Sequence, residues 1–158
     1  MTRRLAVVVV WAAATAAAQK YSGPKPPKAD VPFLLHAETL VETDVVTATE
    51  EKTKEGITYA VAGAASAAKT PLAGPIFLFQ PDKIAVEKLR MYPFTVKGAR
   101  RTVYFSGNKP KDSARPVRIS ISRLEEGLYR IEVGESLANG EYGLSPDESN
   151  TVFCFQVY

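Results

Sequence analysis

From Ile76 to the end of the chain, apolar residues come only in short runs, each bounded by proline, glycine, asparagine or aspartate. The runs are IFLFQ (Ile76–Gln80), RMYPFTVK (Arg90–Lys97), RTVYFS (Arg101–Ser106), PVRISISRL (Pro116–Leu124), LYRIEV (Leu128–Val133), EYGLS (Glu141–Ser145) and TVFCFQVY (Thr151–Tyr158). Regular short runs with turn residues between them predict an antiparallel sandwich or small barrel. Alternation along two of them turns Val117, Ile119 and Ile121, and Leu128, Tyr129, Ile131 and Val133, inward, with Glu125-Glu126-Gly127 as the tight connection. PDKIAVEKL breaks the pattern and reads as one helical turn near 83–89.

The segment Phe33–Ala48 fits both a helical and a strand period, and its chemistry decides for strands. Phe33, Leu35, Ala37, Thr39, Val41, Thr43, Val45 and Thr47 would share one face. Many are β-branched, which costs χ1 freedom in a helix and packs well on a pleated surface, while Glu38, Glu42 and Asp44 fall opposite. Lys54-Glu55-Gly56 then joins two strands as a hairpin, with Gly56 expected to supply a positive φ. Ala64–Pro75 is a small-residue loop with no expected structure.

The opening MTRRLAVVVVWAAATAAAQ places two arginines before an apolar stretch that closes on small residues, the grammar of a secretory signal cut after Ala18. Its apolar stretch is short for a membrane span, which takes roughly 20 residues. The division is therefore a signal over 1–18, an extended proline-rich leader over 19–32 reading as a tether, and one domain over 33–158. Export also settles the charge. The full chain carries +3, and loss of Arg3 and Arg4 with the signal leaves +1 (3 − 2). That is too little to hold a phosphate backbone, so no nucleic acid is expected, and the address is periplasmic or extracellular.

Leu137-Ala138-Asn139-Gly140-Glu141-Tyr142 has a leucine anchor, a turn through Asn139-Gly140, and a tyrosine leading a strand. This resembles the tyrosine corner of immunoglobulin-like sandwiches, in which the hydroxyl folds back onto upstream backbone. Leu144 stands where antibody domains place their second cysteine. NGEYGLSP and NTVFCFQVY together resemble the ending of small exported bacterial proteins of uncharacterised function. The resemblance covers about the last quarter of the chain and implies a fold, not an activity. The expected architecture is an all-β, antiparallel, immunoglobulin-like sandwich of about seven to nine short strands.

The single cysteine, Cys154, sits between two phenylalanines. Alternation puts Phe153, Phe155 and Val157 on one face and Val152, Cys154, Gln156 and Tyr158 on the other, so Cys154 reads as a small hydrophobe in a narrow core position. One cysteine cannot close an internal disulfide, which leaves an intermolecular bridge as the alternative. A catalytic Cys–His pair would need the lone His36, which lies in another expected strand without any supporting signature. Metal clusters, nucleophile elbows and phosphate-cradling loops are missing from the pattern, so no cofactor and no catalysis are expected.

Charge along the chain runs acidic, basic, acidic, which is the pattern of opposite charges meeting across strands. The functional version is a basic loop patch of Arg100, Arg101, Lys109, Lys111 and Arg115 that meets an acidic partner, such as a surface polysaccharide or another copy's acidic end. The function expected is a non-catalytic binding module. The runner-up is a structural subunit of a surface filament or envelope assembly, with Tyr21–Val31 docking onto the next copy. A small outer-membrane barrel fits less well, because most runs are shorter than the roughly 9–11 residues of a spanning strand.

Overall fold

Each of these runs carries a strand in the computed structural model, which describes residues 20–158. The export signal expected over 1–18 therefore lies outside the described residues. The strands are β1 (Phe33–His36), β2 (Thr39–Glu42), β3 (Asp44–Thr47), β4 (Thr49–Lys52), β5 (Gly56–Ala62), β6 (Lys69–Thr70), β7 (Ile76–Phe79), β8 (Leu89–Pro93), β9 (Thr95–Lys97), β10 (Arg100–Ser106), β11 (Ile119–Glu125), β12 (Leu128–Val133), β13 (Gly140–Pro146) and β14 (Thr151–Val157). The helical turn expected near 83–89 is a three-residue 3-10 turn, Val86–Lys88. Among the described residues no helix is long and apolar enough to cross a membrane.

Among the described residues fourteen strands replace the expected seven to nine, because interruptions of one or two residues break the longer runs. Ala37, with φ 53°, turns the chain between β1 and β2. Thr43 separates β2 from β3, its hydroxyl donating to the Pro32 carbonyl at 2.8 Å. Ala48 separates β3 from β4, and Phe94 separates β8 from β9. Each break also resets which side chains face the core. Leu34, not Leu35, is fully buried, and Val45 stands 50% exposed, so the single inward face expected over Phe33–Thr47 does not form.

The strands make three open sheets, ordered β11-β12-β7-β1-β2, β3-β14-β13-β8 and β4-β5-β10-β9, called here front, central and back. All pairings are antiparallel except a two-residue parallel contact of β6 with β14. None closes on itself, which overturns the outer-membrane barrel reading. Two strands of the central sheet continue into the back sheet after a single-residue bend: β3 through Ala48 into β4, and β8 through Phe94 into β9. At both bends the backbone stays tied to the central sheet or its connecting turn, Ala48 N–H to the Asn150 carbonyl and Phe94 N–H to the Glu141 carbonyl, each at 2.8 Å.

The central sheet is covered on both faces. Toward the front sheet lies the main core, with Leu34, Phe77, Phe79 and Ile131 packed on Met91, Leu144, Phe153, Phe155 and Val157. Toward the back sheet lies a smaller core of Ala48, Val61, Val152 and Cys154, with Tyr59 and Phe94 against it. Burial therefore runs unbroken along Glu141–Leu144 and Val152–Phe155, as expected of strands covered on two sides. Phe155 anchors the main core, edge-to-face with Phe77 at 5.0 Å and stacked on Tyr142 at 5.7 Å.

Three local expectations need correction. Gly56 opens β5 after a hairpin turn, yet its φ is not positive; it is glycine because a Cβ there would collide with the Phe105 carbonyl and the Tyr104 ring. Ile121 is 36% exposed, since β11 is the outermost strand of the front sheet and its middle, Ser120 to Arg123, is exposed on both faces. The leader has no regular structure but does not hang free. Asp30 accepts N–H groups from Asp82, Lys83 and Ile84, Lys28 pairs with Glu42 at 2.8 Å, and Lys25 pairs with Glu125. Burial works against the Asp30 charge, but those backbone donors and Lys83 outweigh it and hold the carboxyl below its ordinary value.

Candidate functional site

Alternation puts Val103 and Phe105 on one face of β10, and the register sets Tyr59 of β5 opposite Val103. With Tyr92 from β8 and Phe94 from the bend, these side chains line a cleft of about 160 Å³ between the central and back sheets. Phe105 meets Tyr92 edge-to-face at 5.3 Å and 85°, and Tyr59 at 5.8 Å and 79°. Ala48, Gly143 and Val152 complete the apolar lining. Gly143 cannot be otherwise: a Cβ would lie 2.6 Å from both the Phe94 ring and a Val152 methyl.

The rim is polar and comes mainly from one turn. Between β13 and β14, Asp147, Glu148, Ser149 and Asn150 are exposed, with Glu148 in the left-handed region at φ 62°. The turn is held by Asp147 N–H donating to the Lys88 carbonyl at 2.9 Å and by the Ser145 hydroxyl donating to the Thr151 carbonyl at 2.8 Å. Arg90 crosses the mouth. One of its nitrogens donates to the Glu87 and Leu89 carbonyls at 2.8 and 3.0 Å, and another lies 3.0 Å from an Asp147 carboxylate oxygen. Burial raises the Tyr92 phenol above its ordinary pKa; Asp147 adds to the rise and Arg90 opposes it.

A second polar constellation lies at the other end of β10, sealed from solvent. The side chains of Arg101 and Glu141 are each 3% exposed and lie 3.3 Å apart. Arg101 also donates to the Gly63 and Ala62 carbonyls at 2.9 and 3.0 Å and to the Ser66 hydroxyl at 2.5 Å. Glu141 accepts the Ser66 N–H and hydroxyl, and Asp44 takes the next two N–H groups, of Ala67 and Ala68. The loop expected to be structureless is thus stitched between the sheets by two carboxylates and a guanidinium. Such a paired, hydrogen-bonded cluster positions chain and leaves no reactive group free.

The basic patch drawn from the sequence does not assemble. Arg101 is buried in this cluster, and Arg100, its neighbour on the opposite face, is engaged by Glu51 at 2.6 Å. Lys109, Lys111 and Arg115 are exposed around the 3-10 turn Pro110–Asp112, beyond the other end of β10. Six steps of strand separate the groups by about 20 Å. Lys109 does border a hollow of about 110 Å³, but Glu55 and Asp112 border it too, so it offers an acidic partner no net positive field. The acidic and basic stretches of the chain meet in pairs instead, as in Arg100–Glu51, Arg101–Glu141 and Arg90–Asp147.

Cys154 is a free, fully buried thiol in the smaller core. Burial pushes its pKa up to about 12, with Arg101 pulling the other way and Asp44 and Glu141 adding to the rise. His36 belongs to the front sheet and Cys154 faces the back sheet, so the central sheet stands between them. Tyr142 leads β13 with its ring in the main core and donates its hydroxyl to the Ala138 carbonyl at 2.8 Å, beside the buried Leu137. Among the described residues no three His, Cys, Asp or Glu side chains gather closely enough to hold a metal ion. Comparison with protein families, with curated proteins and with solved structures finds no match for this chain.

Proposed function

We propose that this chain is an exported, non-catalytic binding module of immunoglobulin-like kind, acting in the periplasm or outside the cell, and that its ligand enters the cleft between the central and back sheets. The observation that carries this reading is the cleft itself: half-buried aromatic walls under a polar rim, set on rigid strands, with Gly143 kept bare to admit Phe94. Apolar concavities with a few convergent polar groups are the usual form of a small-ligand site. The Tyr142–Ala138 bond favours the immunoglobulin-like relationship.

The docked leader counts against the structural-subunit reading, because the contacts of Asp30, Lys28 and Lys25 tie the proposed arm to its own domain. Static light scattering of residues 19–158 over a roughly hundredfold concentration range separates the two. A constant monomer mass supports the binding module, and particles that grow with concentration support the subunit. Export is tested by expressing the full chain and sequencing the N-terminus of the secreted product, expected to begin at Gln19; retention of the uncut chain in the cytoplasm would remove the exported half of the proposal.

A further inference from the structure

We propose that the cleft takes one pyranose ring of a neutral carbohydrate. The inference rests on the binding reading above and names its ligand class. Size limits the occupant first: a cavity of about 150 Å³ accommodates a benzene ring, and this open cleft is about 160 Å³, so it has room for one six-membered ring whose exocyclic groups project through the mouth. The walls come next. Tyr59, Tyr92, Phe94 and Phe105 all line the cleft and are half-buried, so part of each ring stays open to an occupant even though Phe105 packs edge-to-face with both tyrosines. The C–H face of a sugar ring is complementary to the electron-rich face of an aromatic ring.

The rim selects among ligands of that size. A sugar hydroxyl donates and accepts at once. The mouth sets guanidinium donors 3.0 Å from carboxylate acceptors in Arg90 and Asp147, beside the Asn150 amide and the Ser149 hydroxyl. Neighbouring donors and acceptors match neighbouring hydroxyls. An organic anion would meet Asp147 and Glu148, a purely apolar ring would make no use of the rim's donors and acceptors, and an organic cation, which the two carboxylates would not repel, could use neither the Arg90 nor the Asn150 donors.

The test uses residues 19–158. The only tryptophan, Trp11, is lost with the signal, so intrinsic emission comes from tyrosine, including Tyr59 and Tyr92. Glucose, galactose, mannose and N-acetylglucosamine are titrated to roughly 100 mM, following tyrosine emission and saturation-transfer NMR, with tetramethylammonium and benzyl alcohol as contrasting probes. The expected result is saturable binding of at least one sugar with a roughly millimolar Kd, the range open to so small a ligand. Tyr92→Ala should abolish it. Asn150→Ala, which alters only an exposed rim residue and leaves the packing alone, should weaken it about five- to tenfold. Sugar binding that survives both substitutions would overturn the proposal. So would saturation by tetramethylammonium or benzyl alcohol but no sugar, although the binding reading would stand. If no probe binds and light scattering shows growing particles, both readings fall; if no probe binds to a monomer, the sugar proposal falls and the binding reading loses the site that carries it.

Discussion

Glu141→Gln removes one charge from the sealed cluster while keeping the shape of the side chain. In the native protein the carboxylate faces the Arg101 guanidinium at 3.3 Å and accepts the Ser66 N–H and hydroxyl, and neither ionic side chain is more than 3% exposed. Breaking a buried pair from one side costs about 3–5 kcal/mol, because the remaining charge is stranded away from water. Two features place this case at the lower end. The amide oxygen of glutamine can still accept from Ser66, and the Asp44 carboxylate of β3 still holds the next two N–H groups of the same loop. The expected loss is therefore about 3 kcal/mol, a large share of the 5–15 kcal/mol that holds a domain folded. For a chain of this length it should lower Tm by about 10 °C. Urea unfolding followed by circular dichroism should show a lower midpoint at unchanged slope. Arg101→Met with Glu141→Leu should be less destabilised than the sum of the two single variants, since it strands no charge, although it leaves the Ser66 N–H and the Ala62 and Gly63 carbonyls without their partners. A loss below about 1 kcal/mol for Glu141→Gln, or a double variant as unstable as the sum of its parts, would refute the reasoning.

Tyr142→Phe deletes the bond to the Ala138 carbonyl while keeping the ring on Phe155, so urea unfolding should show a loss of about 1 kcal/mol with the fold intact. Asp30 makes the leader acid-sensitive. Its folded pKa lies below the unfolded value, so its contribution is complete above about pH 4 and fades as pH falls through the folded value. An acid-active protease should therefore cut within 20–32 faster as pH drops below about 4, and Asp30→Asn should be cut at the fast rate at every pH.

Strand positions were readable because each apolar run is closed by residues that stop strands: Pro116 before β11, Gly127 after it, Asn139 before β13. The third sheet was not. Ala48 carries no turn chemistry, and Pro93, which ends β8 just before the bend at Phe94, was read through, so β3–β4 and β8–β9 each read as continuous. The available signal was on β14, where both faces are apolar; a strand with two greasy faces needs a cover on each side. The cation patch failed on a rule already in hand, since adjacent residues of a strand face opposite ways and Arg100 and Arg101 cannot share a surface. Glu141 and Ser66 are 75 residues apart with no motif between them, so their cluster was illegible. The cleft residues were half visible: alternation groups Val103 with Phe105 and Tyr92 with Phe94, but only the sheet register brings Tyr59 to them.

The account depends on the back sheet closing over the central one, because that closure forms the cleft and entombs the single thiol. Labelling of Cys154 by a water-soluble thiol reagent across a urea series reports this directly. The predicted result is no modification of the native protein on the timescale that saturates the unfolded chain, with an opening free energy equal to that of global unfolding. Modification of the folded protein at a rate near that of the unfolded chain would contradict it.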